Sequence, residues 1–233
     1  MKKNIFYTML FAAAMFTLAS CGDDESEGKS RITYYPTIEL KGDDPYLVAK
    51  GSTYQDPGYE SIMGGQDVSD KVTVTGIPNT AQSGDYTVSY TTVKNDDGFD
   101  ASAKRRVIVA DASDPIEGLY WIDPSSYRLR QGAKKAYGAA YPLVVMNNGD
   151  GTYSVDDLLG GWYYYGSGYG KNYAMAATIS VADDGTVTLL KSAVPGWGDA
   201  HEDFSGTFDA ATGTFEMTTV YAAMDFVQTW VKQ

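Results

Sequence analysis

Short runs in which apolar and polar residues alternate, each closed by Gly, Asn, Asp or Pro, constrain this chain more than any other feature. The clearest is Tyr86-Thr87-Val88-Ser89-Tyr90-Thr91-Thr92-Val93, which sets Tyr86, Val88 and Tyr90 on one face. Period-two alternation over about four to eight residues marks a half-buried strand. No long amphipathic helical pattern competes with it, so the chain is expected to be all-β.

In residues 32–112 the other expected strands are Thr37-Ile38-Glu39-Leu40, Leu47-Val48-Ala49, Lys71-Val72-Thr73-Val74-Thr75 and Arg105-Arg106-Val107-Ile108-Val109. Turn signals at 41–45, 56–58, 64–65, 84–85 and 96–98 separate them. Several short strands over ~80 residues suggest a Greek-key sandwich. Residues 110–115 mark a boundary, because all four tryptophans (Trp121, Trp162, Trp197, Trp230) and eleven of the 19 tyrosines follow it.

Residues 115–233 read as eight or nine strands joined by hairpin turns. Among them are Ala140-Tyr141-Pro142-Leu143-Val144-Val145-Met146, Gly161-Trp162-Tyr163-Tyr164-Tyr165, a run from Tyr173 to Val181, and Phe226-Val227-Gln228-Thr229-Trp230-Val231. Such a meander is expected to form an antiparallel β-barrel or a compact sandwich; full closure removes exposed edges. A barrel of about eight strands either fills itself with side chains or holds one small ligand. The sequence leaves both open.

The N-terminus gives an address. Lys2 and Lys3, an apolar run from Ile5 to Leu18 and the small Ala19 and Ser20 have the form of a secretory signal over residues 1–20, too short to span a membrane. Leu18-Ala19-Ser20-Cys21 resembles the lipobox of bacterial lipoproteins. That resemblance implies cleavage before Cys21, acylation of its thiol, and membrane attachment through the N-terminal lipid only. Cys21 is also the only cysteine, and a lone thiol in an exported chain calls for pairing or modification. Residues 21–31 read as a flexible acidic tether. Its cluster of Asp23, Asp24, Glu25 and Glu27 is similar to the surface-export signal of Bacteroidetes lipoproteins, which implies the extracellular side of the outer membrane.

The formal charge is −12, and loss of the two signal lysines takes the mature chain to −14. Nucleic acid and anionic membrane surfaces both need basic patches, so neither is expected as a partner.

Two resemblances extend the reading. Gly51-x-x-Tyr54-x-Asp56-Pro57-Gly58, Val72-x-Val74-x-Gly76, Gly84-x-Tyr86-x-Val88-x-Tyr90 and Arg106-Val107-x-Val109 together resemble the bacterial Ig-like module of pesticidal crystal proteins and many surface proteins. The family's last hairpin turn departs here to Asn95-Asp96-Asp97-Gly98-Phe99-Asp100, which is read as a turn in preference to a calcium loop. Members act mostly as spacers or adhesive modules, and a spacer is expected. Gly151-x-Tyr153-x-Val155-x-Asp157 and Gly160-Gly161-x-Tyr163 resemble a C-terminal domain of unknown function found behind such modules in Bacteroidetes surface lipoproteins. By association, this implies a role beside SusC/SusD-type outer-membrane glycan-uptake proteins.

Candidate sites are aromatic. The stretch 162–173 is the densest in rings, and Gly-rich flanks could present them at a loop tip. Flat rings stack on the C–H faces of sugars, yet aromatics are equally good strand and core residues. On a strand, Trp162 and Tyr164 would share one face and Tyr163 and Tyr165 the other. Trp197 falls in a stretch without regular pattern. Trp162, Tyr164 and Trp197 are the expected glycan-stacking residues.

No catalytic residues are expected. His201 is the only histidine and reads as a surface residue, so triads and transition-metal sets have little room, and no metal or cofactor is expected. Paired acids among Asp123, Asp156, Asp157, Glu202 and Asp203 could serve glycoside hydrolysis, but no motif ranks one pair above another. Non-catalytic glycan binding is the expectation. A protein-docking lipoprotein without a small ligand is the alternative, and a lipocalin-like carrier of an apolar molecule a third reading.

Overall fold

The structure, a computed structural model, describes residues 32–233. The signal, Cys21 and the tether expected at 21–31 lie outside the described residues.

The first module carries β1 (Thr37–Leu40), β2 (Tyr46–Ala49), β3 (Tyr59–Met63), β4 (Gln66–Asp67), β5 (Thr73–Thr75), β6 (Gly84–Thr91) and β7 (Ser102–Ala110). They form two sheets, β1-β3-β4 and β2-β7-β6-β5, with β2 parallel to β7 and every other pair antiparallel. Val48, Val88, Tyr90, Val107 and Val109 fill the space between them. The residues that carried the Ig-like resemblance are structural. Asp56 accepts the Gly58 N–H at 2.8 Å and the Tyr90 hydroxyl at 2.6 Å. Arg105 is fully buried, and its guanidinium donates to the carbonyls of Lys41, Asp43 and Gly58. A buried charge survives only with such partners.

The second module carries β8 (Gly118–Ile122), β9 (Tyr127–Arg130), β10 (Ala133–Ala136), β11 (Pro142–Asn147) and β12 (Tyr153–Val155). It continues with β13 (Ala176–Val181), β14 (Val187–Ala193), β15 (Asp203–Asp209), β16 (Thr214–Tyr221) and β17 (Met224–Lys232). All ten join one antiparallel sheet that meanders from β8 through β11, β12 and β13 to β14, and returns through β15, β16 and β17 to β8. The sheet curls until β14 and β15 meet. There the ladder thins to one bridge, Thr186 to Thr207, and a Phe208 N–H donated to the Gly185 carbonyl at 2.8 Å. Gly185 makes this approach feasible: its φ is +83°, and a Cβ would lie 2.4 Å from the Phe208 carbonyl oxygen. The β9–β10 hairpin, not foreseen in the sequence, pairs with the first half of β17, while β8 takes the second half.

The interior is solid. Tyr120, Leu143, Leu158, Leu159, Phe215, Phe226 and Trp230 are fully buried in a single cluster. Each such side chain contributes roughly 1.5–3 kcal/mol. A lipocalin-like carrier needs a central cavity, and these side chains occupy the space it would use.

The modules are packed together. Ile108 of β7, Leu119 of β8 and Val144 of β11 form a separate buried cluster, flanked by Leu47 and Met146. The connecting residues are tied down as well: Asp111 N–H donates to Glu117 Oε1 at 2.9 Å, and Lys232 Nζ donates to the carbonyls of Asp114 and Pro115.

Candidate ligand-binding site

The stretch expected as a strand at 161–165 is instead one wide helical turn, Trp162–Gly166, with i to i+5 hydrogen bonds from Gly166 to Gly161 and from Ser167 to Trp162. Such turns are rare and are often found at functional sites. Gly160 and Gly161 enter it at φ +64° and +79°, and a Cβ on Gly161 would meet the Tyr141 and Tyr165 side chains at 2.7 and 2.9 Å. Asp157 holds the entry. Its carboxylate, fully inside the fold, accepts N–H groups of Leu159, Gly161 and Met175 at 3.0–3.1 Å. Burial pushes this carboxyl up to about 7, against the three donors, which favour its charge.

Because a turn fans its side chains around an axis, four consecutive aromatics reach three places. Trp162 points inward and is only 7% exposed, with Tyr137 and Phe226 edge-on and the Arg128 guanidinium 4.8 Å from its ring centre. The expectation of Trp162 as a stacking platform is corrected: this ring belongs to the core. Tyr164 and Tyr165 stack at 3.9 Å, and Tyr141 stacks in turn on Tyr165 at 5.7 Å. Tyr164 borders a cleft of about 470 Å³ between the modules, together with Lys104, Arg106, Asp85, Asp156 and Lys171.

Tyr163 points the third way, to Trp197. The segment around Trp197, expected to be irregular, is a tight turn closed by paired Val194 and Asp199. Gly196 donates to the Asn172 carbonyl at 2.7 Å, and Asp199 accepts the Tyr221 hydroxyl at 2.8 Å. Trp197 lies 4.8 Å from both Tyr163 and Tyr173, and 6.1–6.2 Å from Tyr221 and Tyr169. Trp197 is 43% exposed and Tyr169 55%. The result is an exposed pair, Trp197 and Tyr169, backed by the half-buried Tyr163 and Tyr173 and by the buried ring of Tyr221.

The structure thus disperses the three expected residues: Trp162 to the core, Tyr164 to the intermodule cleft, Trp197 to the patch. Tyr163, Tyr169, Tyr173 and Tyr221 were not singled out in the sequence. Only the glycines around Tyr169 hinted that one of them sits on an exposed loop.

The acids considered for catalysis are engaged structurally. Asp156 accepts Arg106 Nη2 at 2.8 Å and the Val144 N–H at 2.7 Å, while Asp157 caps the turn. Glu202 accepts the Ala223 N–H and Asp123 the Ser125 N–H. His201 pairs through Nδ1 with the Ser192 hydroxyl at 2.8 Å.

An Ig-like module fused to a curled meander defines a two-module bacterial surface protein, and the comparisons agree. The bacterial surface protein Ig-like domain family matches residues 38–109, and a C-terminal-domain family matches residues 110–232. The crystal structure of the lipoprotein BT2262 from Bacteroides thetaiotaomicron is 34% identical, with a TM-score of 0.75 over 85% of this chain and 100% of that one. No match was found among curated proteins. The chain belongs to this family of Bacteroides surface lipoproteins.

Proposed function

We propose that the protein is acylated at Cys21, stands on the extracellular side of the outer membrane, and binds an extracellular glycan without catalysing its cleavage. In this reading it serves a polysaccharide-uptake system beside SusC/SusD-type partners. The observation that carries it is the patch around Trp197, where an exposed indole is braced by four tyrosines on turns that leave it little freedom. Preorganised rings lose little entropy on binding and present the apolar faces that sugars stack on. Tyr164, backed by Tyr165 and bordered by Arg106, Lys104, Lys171 and the carboxylates of Asp44, Asp85 and Asp156, offers a second ring in a cleft rich in partners for sugar hydroxyls. The non-catalytic part is supported by the acids, whose hydrogen bonds to backbone and to Arg106 use them in the fold.

The test is a binding screen of residues 22–233 against plant, host and microbial polysaccharides, read by gel retardation and calorimetry. Retardation by one class supports the reading. None across the panel favours the second reading, a protein-docking lipoprotein. An exposed aromatic patch equally suits a protein surface.

A further inference from the structure

The β9–β10 hairpin concentrates positive charge in an acidic chain. Residues 115–233 hold seven lysines and arginines, and four of them, Arg128, Arg130, Lys134 and Lys135, fall on this one hairpin. No acid occurs between Asp123 and Asp150. Ion pairs among the described residues join Lys50 to Asp111 and Arg106 to Asp85 and Asp156, and none of them uses the hairpin. Lys135 stands directly opposite Arg128 in the strand pair, and like charges so placed repel.

Strand alternation divides the four cations. Arg128 pairs with Phe226 of β17 and with Lys135 of β10, and Arg130 pairs with Ala133, so Arg128, Arg130 and Lys135 share the face that covers the core. Lys134 lies on the other face, its Nζ 3.7 Å from the Tyr127 ring centre. On the inner face the Arg128 guanidinium and Lys135 Nζ approach the Trp162 ring at 4.8 and 5.5 Å. Arg128 Nε is buried without a hydrogen-bond partner, whereas buried donors are nearly always paired. Burial raises the pKa of the Tyr163 hydroxyl while Arg128 and Arg130 pull against it, which puts both guanidinium groups beside the ring that backs Trp197. The basic face and the exposed Trp197 and Tyr169 are therefore neighbours across Tyr163. Beyond Trp197 the charge reverses: Asp199 accepts the Tyr221 hydroxyl, with Glu202 close by.

We infer that Arg128, Arg130 and Lys135 extend the Trp197 patch into a site for an acidic glycan, one that carries carboxylate or sulfate groups. This rests on the glycan reading proposed above and adds the charge class of the sugar. A planar guanidinium meets two acidic oxygens with parallel N–H donors, while Trp197 and Tyr169 offer flat faces to the adjoining sugar ring. Long-range repulsion from the chain's net charge of −12 does not forbid this. At physiological salt it is screened beyond about 8 Å, so the cations at the site decide.

The experiment is calorimetry of residues 22–233 at physiological salt. Polygalacturonate, alginate, chondroitin sulfate and dextran sulfate are compared with dextran, neutral galactan and methyl-esterified polygalacturonate, and with polyglutamate as a polyanion without sugar. We expect the tightest binder to be an acidic polysaccharide, and Arg130→Gln/Lys135→Gln to weaken it at least about tenfold. Lys134→Gln/Lys191→Gln removes the same charge from other faces and should change the affinity less than about twofold. All four side chains are exposed, and unchanged thermal unfolding verifies that both variants are folded. A neutral polysaccharide bound best, or an acidic one weakened equally by both double variants, overturns the inference and leaves the glycan reading standing. Polyglutamate bound as tightly as the best acidic glycan overturns it in favour of an acidic protein partner. No binding by any polysaccharide overturns the inference together with the glycan reading.

Discussion

Arg106 of the first module reaches Asp156 of the second, Nη2 to Oδ2 at 2.8 Å, while also gripping Asp85 through Nε and Nη2 at 3.0 and 2.7 Å. Burial pulls against this guanidinium's charge, but the two carboxylates win and hold its pKa above the ordinary arginine value. Beside the Ile108, Leu119 and Val144 cluster, the pair joins two modules that the sequence reads as spacer and cargo.

Arg106→Gln should therefore cost about 2–4 kcal/mol, because it leaves two partly buried carboxylates without their cation. Wild type should unfold in one calorimetric transition. The variant should unfold earlier, with its transition broadened or split. An unchanged single transition would mean that the pair does not couple the modules.

Asp157 gives a pH dependence with a definite sign. Its folded pKa is raised from 3.8 to about 7, so the folded state holds a proton that the unfolded chain has released. The stability from this group is full below about pH 4 and is lost as pH rises through about 7. Asp157→Asn leaves the Gly161 N–H poorly matched and should cost ~1–3 kcal/mol at pH 5. The gap between wild type and variant, measured by urea unfolding, should narrow from pH 5 to pH 8. A constant or widening gap would contradict the assignment.

Gly185→Ala tests closure of the curled sheet. The added methyl meets the Phe208 carbonyl oxygen in a backbone conformation that disfavours any Cβ, so the loss should be at least about 2 kcal/mol. Amide exchange should rise first in β14 and β15. Uniform loosening of all ten strands would argue that this seam is not the weak line.

Trp162 and Trp197 should behave oppositely. Trp162→Ala opens a hole beside Tyr137 and Phe226 and should cost about 3–5 kcal/mol. Trp197→Ala removes a half-open surface ring and should cost about 1 kcal/mol. Urea midpoints of the two variants check both.

What could be read in the sequence was whatever follows strict alternation. In β6, Val88 and Tyr90 are fully buried as the pattern required, and in β16 Phe215, Met217, Thr219 and Tyr221 all face inward. The β9–β10 hairpin escaped because Tyr127–Arg130 offers only two apolar residues on one face and Ala133–Ala136 is exposed throughout; pairing of β9 with β17 and of β10 with β9 makes them strands. Trp162 to Tyr165 carry strong strand propensity, and tertiary context overrode it. The two glycines before Trp162 and the buried cap of Asp157 bend the chain into a turn, and that turn sends Trp162 inward and Tyr163 to Trp197. Spacing along the chain does not reveal that Tyr221 and Tyr173 converge on one indole.

The central claim is that the Trp197 patch binds a glycan. It is tested most directly by calorimetry of wild type and Trp197→Ala with the polysaccharide that retards the wild type best. A folded Trp197→Ala variant should bind at least about tenfold more weakly, a loss of about 1.4 kcal/mol. Equal affinity in the folded variant would contradict the account.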